Sequence, residues 1–250
     1  MALTLNLQKS EQTLKLCLQK KGIATPPPVD FAVLLDVSGS FEDEHASGIT
    51  NDLITRLVPW GMTFDPDRKL DVITFSDGQG HVENVGSITE DNYPGFVKKY
   101  VINKVRGWCG GTDYSYAIEE ALRVFGWLSS DSITEKASGF FGSLFGKKTP
   151  AKVEAQRLAV AFIITDGQNY DQTRTEQIFH DSELRGDKVY FMFIGVSNNP
   201  TEFRFVDQMA DMFSNVGIVK VPNIRKFVEQ TDEQLNEQFI TDEFVNWLKN

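Results

Sequence analysis

Three features of this 250-residue chain predict an α/β fold, with a mostly parallel central sheet and helices on both faces. Residues 29–35, 158–164 and 189–194 are near-continuous apolar runs of strand length, the pattern of strands buried on both sides. Between them lie stretches with helical spacing, such as Ile49, Leu53, Ile54, Leu57 and Val58. Asp36 and Asp166 each follow a separate predicted strand, where sheets of this kind place their sites.

In chain order, the first twenty residues read as an N-terminal β-hairpin. Leu3, Leu5 and Leu7 alternate with polar residues, as do Leu14, Leu16 and Leu18, and 9–12 can turn the chain. A hairpin alone is marginal in water, so it must pack on the body or a partner. Pro26-Pro27-Pro28 is a stiff joint, and the expected segment 1–28 ends there. The strand 29–35 follows, then a helix that Pro59 and Gly61 are expected to end. Residues 70–75 predict a strand, and His81-Val82 a short continuation. Phe96, Val97, Tyr100, Val101 and Val105 suggest a short helix, and Ala117, Ile118, Ala121, Leu122 and Phe125 a firmer one. A strand over 158–164, a helix over 173–184, a strand over 189–194 and a last strand over 216–219 complete a main domain at 29–222. Residues 223–250 read as a helical extension, with Thr231 to Gln234 as a reciprocal cap.

Residues 131–156 interrupt this pattern as an insertion. Glycines alternate there with Phe140, Phe141, Leu144 and Phe145 ahead of Lys147 and Lys148. We expect a mobile surface loop whose apolar groups pack back or meet a protein. A weak membrane contact through 139–148 is a further alternative.

Charge and cysteine content narrow the function classes. With 25 Lys and Arg against 35 Asp and Glu, the net charge is −10, which disfavours broad nucleic-acid binding. No apolar run reaches membrane-spanning length and no secretory leader opens the chain, so the cytoplasm is the expected compartment. Two cysteines, Cys17 and Cys109, make neither a disulfide scaffold nor a four-thiolate zinc site.

The chemistry concentrates at Asp36-Val37-Ser38-Gly39-Ser40, where one carboxylate and two hydroxyls follow a strand at alternate positions. Thr112, in Cys109-Gly110-Gly111-Thr112-Asp113, and Asp166, in Thr165-Asp166-Gly167-Gln168, can join them from two later loops. Hard oxygen donors of this kind suit a small divalent cation, with the aspartates supplying charge directly or through water. Thr112 has an alternative role as a helix cap, and Asp166 as a turn residue. Asp77 and Asp113 are candidate rim residues, and His45 reads as a packing or surface histidine.

These residues resemble the von Willebrand factor A domain family over roughly 29–222, including its metal-ion-dependent adhesion motif. The resemblance implies a metal site of Asp36, Ser38, Ser40, Thr112 and Asp166, all five matching without substitution. It implies Mg²⁺, with Ca²⁺ or Mn²⁺ as alternatives, and a protein partner that presents an Asp or Glu to the ion. The segments Phe41 to Gly48, Leu57 to Asp71 and Phe75-Ser76-Asp77-Gly78 resemble more narrowly the A-type domain of tellurium-resistance proteins. The opening Leu3-Thr4-Leu5-Asn6-Leu7-Gln8-Lys9 is similar to the start of the small domain accompanying that system. This implies a Mg²⁺-dependent interaction module in a bacterial or phage-associated tellurite or chemical-stress response, with other stress-operon proteins among its partners. A metal-dependent hydrolase or phosphoryl-transfer enzyme is the competing class, although no phosphate-binding glycine loop or nucleophile is apparent.

Overall fold

The structure, a computed structural model, describes residues 3, 5–129, 156–167 and 169–249. Its strands are β1 (Val29–Asp36), β2 (Leu70–Phe75), β3 (Glu83–Ile88), β4 (Leu158–Thr165), β5 (Val189–Val196) and β6 (Val216–Val221). They form a sheet in the order β3-β2-β1-β4-β5-β6. Neighbours are parallel except β3, which runs antiparallel along β2 at one edge. Burial alternates along β3, as suits an edge strand with one face in water. Its register slips between Val72 and Ile73 opposite Gly86, whose φ of +107° a side chain would resist.

The helices are α1 (Leu7–Lys20), α2 (Glu42–Ser47), α3 (Ile49–Phe64), α4 (Phe96–Tyr100), α5 (Tyr114–Val124), α6 (Gln172–Arg185), α7 (Arg204–Met212), α8 (Ile224–Val228), α9 (Asp232–Phe239) and α10 (Asp242–Lys249). They cover both faces of the sheet. Phe31, Val33 and Leu35 of β1 enter a core shared with α1, α3, α4 and α8 to α10. Ala32 and Leu34 enter the opposite core, with α5, α6 and α7. Alternate residues of one strand thus feed two cores, which is why the strands read as unbroken apolar runs. The chain leaves β1 toward β2 on one side and reaches β4 on the other. The crevice at the carboxyl ends of β1 and β4 is therefore the topological switch point.

The N-terminal hairpin expected from the sequence is corrected to the helix α1. Leucines at 14 and 18 alternate through 16, but they also lie four residues apart, one helical turn. Leu14 and Leu18 are fully buried while Leu16 is 58% exposed, so the helical period prevails. The buried set Leu7, Ser10, Glu11, Leu14, Cys17 and Leu18 forms one helical stripe. The Asn6 side chain caps the start by accepting the Lys9 N–H at 3.1 Å.

A second correction concerns α3, which runs through Pro59 and Gly61 to Phe64. Pro59 cannot donate to the Thr55 carbonyl, a cost that usually kinks or ends a helix. Here α3 lies between the sheet and the flanking helices α1 and α8, and Leu57, Val58, Trp60, Met62 and Phe64 are all buried. Gly61 serves close approach, since a Cβ there would collide with the Lys69 carbonyl.

The expected helix through Val105 ends at Tyr100, and the His81 region is a short 3₁₀ turn ahead of β3. The helical tail is present as α8 to α10, with the Thr231–Gln234 capping box intact. The expected insertion, including Phe140, Phe141, Leu144, Phe145 and 139–148, lies outside the described residues apart from Gln156. Among the described residues no helix is long and apolar enough to cross a membrane.

Candidate metal centre

β1 carries Asp36 to the switch point and buries it completely. Its Oδ1 accepts the Ser38 N–H at 2.8 Å, and its Oδ2 accepts the Thr165 hydroxyl at 2.6 Å. Thr165 ends β4, so the two central strands are joined through this carboxylate. Beneath it, His45 Nε2 lies 2.8 Å from the Asp36 carbonyl oxygen and Nδ1 lies 2.9 Å from Thr50 Oγ1. A carbonyl only accepts, so Nε2 carries the proton and Nδ1 accepts from Thr50. Burial lowers the His45 pKa and keeps the ring neutral, while Phe41 and Trp108 pack on it. His45 is thus a packing histidine that holds the end of β1.

The second loop is stitched to the first by backbone bonds. Cys109 N–H donates to Val37 O, and Gly39 N–H donates to Gly110 O, both at 2.9 Å. Gly111 N–H donates to Asp77 Oδ1 at 3.0 Å, and Gly78 N–H to Asp113 Oδ2 at 2.8 Å. Asp77 and Asp113, expected as rim residues, therefore brace the loop after β2 against the loop before α5. Cys109 is exposed, with a positive φ of +62°. Its thiol pKa is raised by slight desolvation and by Glu42, which does not activate it, and Cys17 is buried and also unpaired.

The third loop completes the cluster. Ser40 Oγ donates to Asp166 Oδ1 at 3.0 Å, and Ser38 Oγ lies 3.2 Å from Ser40 Oγ. Thr112 is buried, its Oγ1 and Ser40 Oγ lie 3.7 and 3.8 Å from where a Gly167 Cβ would stand, and its carbonyl accepts the Tyr170 N–H at 3.0 Å. The structure thus brings Asp36, Ser38, Ser40, Thr112 and Asp166 to one place from three loops.

Sequence reasoning missed the residues that hold these loops. Thr165 binds Asp36, and the Tyr114 hydroxyl donates to Gly167 O at 2.7 Å. Asn169 and Asp171 both accept the Tyr114 N–H at 3.1 Å, capping α5 from the third loop. The signal available was Asn169-Tyr170-Asp171 between a strand and a helix, a run of capping residue types. It reads in sequence as a cap for α6, not for a helix some fifty-five residues earlier.

Burial pushes Asp36 up to about 6, despite hydrogen bonds from Ser38, Thr165 and Thr112. Burial and then the Asp36 charge push Asp166 up to about 7, against the Ser40 bond. Among the described residues no group of three or more His, Cys, Asp or Glu side chains is gathered as a metal site. The five residues instead combine two carboxylates with three hydroxyls. These are hard, oxygen-only donors, and two carboxylates held close against their own repulsion fit a small divalent cation better than a thiolate- or imidazole-seeking metal.

No family model matches the chain. The uncharacterized protein YcbR of Bacillus subtilis (strain 168) is 21% identical over 252 residues, covering 98% of this chain and 87% of that protein. A structure of proximal thread matrix protein 1 from the mussel byssus is similar at a TM-score of 0.53 and 16% identity, over 86% of this chain and 49% of that one. A structure of the same mussel protein with a zinc-occupied MIDAS motif gives 0.51 and 17%, over 88% and 49%. This chain spans about half the length of those mussel chains. Identities of this size show the fold alone, and it is a von Willebrand factor A-like, Rossmann-like α/β fold.

Proposed function

We propose that this chain is a metal-dependent protein-interaction module. Asp36, Ser38, Ser40, Thr112 and Asp166 would hold one Mg²⁺-class ion, with Ca²⁺ or Mn²⁺ as alternatives, and a carboxylate from a protein partner would complete its coordination. The observation that carries this reading is the gathering of one buried and one partly buried carboxylate with three hydroxyls at the switch point, with both carboxyl pKa values raised. When bound, the ion would supply the positive charge that lets both aspartates stay ionised. The protein's part is to hold the loops. Thr165 and His45 fix Asp36, Asp77 fixes Gly111 beside Thr112, and Tyr114 fixes Gly167 beside Asp166.

Five side-chain donors are fewer than the six or more oxygens such an ion takes, which leaves a position that an acidic group from outside can fill. The narrower resemblance of residues 36–48 and 57–78 supports a setting in tellurite or chemical-stress response, with other proteins of that system as partners. Two unpaired thiols suit a reducing compartment such as the cytoplasm.

The test is calorimetric titration of Mg²⁺ into the wild-type chain and into the double variant Ser38→Ala, Ser40→Ala. Removing two hydroxyl donors from a loop that the backbone bonds still hold is expected to weaken binding at least about tenfold while circular dichroism stays unchanged. Equal affinity in a folded double variant rejects this ligand set.

A further inference from the structure

The face around the five residues is acidic beyond the two aspartates that an ion would offset. Asp77 is half-exposed beside Gly111, Glu42 and Asp43 are exposed, and the Glu44 charge reaches Asp166. The nearby basic side chains are already engaged. His81 lies 3.3 Å from Asp77, and Arg174 pairs with Glu119 at 2.8 Å and stacks over Tyr116. A partner segment rich in acidic residues would be repelled everywhere except at its one metal-directed carboxylate.

Tyr170 stands on the same loops and is 78% exposed. Among the described residues the other large exposed apolar side chains are Leu16 on α1, Leu184 on α6 and Met212 on α7. The Tyr170 N–H is tied to Thr112 O, and its neighbours Asn169 and Asp171 are both spent on capping α5. Its ring lies by Gly111, with Cδ2 3.9 Å from where a Gly111 Cβ would stand, and Asp77 Oδ1 holds the Gly111 N–H. An aromatic ring and a carboxylate therefore flank one residue, next in sequence to Thr112, on backbone pinned from both sides. A ring and an anion presented together make a seat for a cation. Rigid, solvent-facing tyrosines are also favoured anchors at interfaces.

We propose that this face recognises a protein segment in which a single Asp or Glu is directly flanked by Lys or Arg. The carboxylate goes to the metal position, and the base lies between the Tyr170 ring and Asp77. The two groups stand on consecutive residues of the partner, about 3.8 Å apart at Cα, in a turn and not in an extended strand, whose successive side chains point to opposite faces, and the long Lys or Arg side chain spans the rest. This rests on the metal-mediated reading above. It adds that specificity comes from the acidic rim and Tyr170.

The experiment uses three synthetic peptides of equal length, with a central Asp flanked by Lys, by Ala or by Glu. Each is titrated into the ¹⁵N-labelled full chain at saturating Mg²⁺ and again in chelator, following amide shifts. The expected affinity order is Lys-flanked, then Ala-flanked, then Glu-flanked, with about tenfold between the extremes. Tyr170→Ala is expected to erase the advantage of Lys over Ala, whereas Tyr170→Phe keeps it, because the ring and not the hydroxyl seats the base. Equal affinities, a preference untouched by Tyr170→Ala, or no shifts with any peptide would overturn the proposal. Calorimetry of the wild-type chain with Mg²⁺ alone separates the two readings. If no ion binds, the metal site fails. If Mg²⁺ binds without a preference for Lys, only the partner inference fails.

Discussion

Asp166 shows how much a single side chain can carry here. Its carboxyl is raised to about 7 from an ordinary 3.8, chiefly by burial and next by the Asp36 charge. A raised carboxyl destabilises the folded state only when ionised. The penalty is absent below about pH 4, grows as pH rises toward 7, and is complete above it. In chelator, Asp166→Asn is therefore expected to stabilise the protein at pH 8 by on the order of 1 kcal/mol, and to change little at pH 4. The same variant should lose most of its Mg²⁺ affinity. In the wild type that affinity should climb as pH rises through 7, because protons and metal compete for the same oxygens. Thermal unfolding at the two pH values checks the first point, and a titration series across pH checks the second. An equal gain at both pH values would sink the electrostatic account. At this scale the five oxygen-bearing residues that the structure brings together were legible as candidates, because loop position beside a strand or helix end and donor type are local properties. Thr165, Tyr114, Asn169 and Asp171 were not, because their partners lie tens of residues away.

Secondary-structure elements were read well where burial imposes one period and less well where two periods agree with the same residues. The central strands β1, β2, β4 and β5 were visible as apolar runs because both faces of the sheet are covered. In α1 the leucines satisfied periods of two and of four alike, and only burial of the Ser10–Leu18 stripe distinguishes them. In α3, Pro59 and Gly61 carry the local chemistry of a helix end, yet packing on both sides keeps the helix continuous. Gly61 gives a direct check. Gly61→Ala would improve an exposed helix, but here the added methyl meets the Lys69 carbonyl, so α3 must move away from the start of β2. We expect a loss of about 2 kcal/mol in urea unfolding. A neutral or stabilising result would show that α3 and β2 separate easily.

For the whole molecule, the two flanking segments share one face of the sheet and complete its core. Lys20 pairs with Glu233, Lys21 with Asp242 at 2.8 Å, and Ser10 Oγ donates to Asp232 at 2.7 Å. Exposed pairs of this kind contribute little individually, so the apolar contacts beneath them matter more. Trp60 is their hub. Its ring meets Phe31, Phe64, Phe162, Phe239 and Phe244, and its Nε1–H donates to Asn236 Oδ1 at 3.1 Å. Phe239, from the segment read as an extension, also touches Phe162 and Phe227. Phe239→Ala is expected to cost roughly 3–5 kcal/mol of unfolding free energy, the range for a large aromatic removed from a closed core. A loss below about 1 kcal/mol would mean that the tail only rests on the sheet.

The sequence by itself determined the alternation of buried strands and helices, and with it the layered α/β fold. It also determined the oxygen-donor residues that stand at the strand ends, because periodicity and strand-end chemistry are written within a few residues. Only the tertiary structure decided that α1 is a helix, that α3 survives its proline, and that the termini close one core. It alone decided that Thr165, Asn169 and Asp171 lock loops far from them in sequence, since each outcome depends on which surfaces meet and are removed from water.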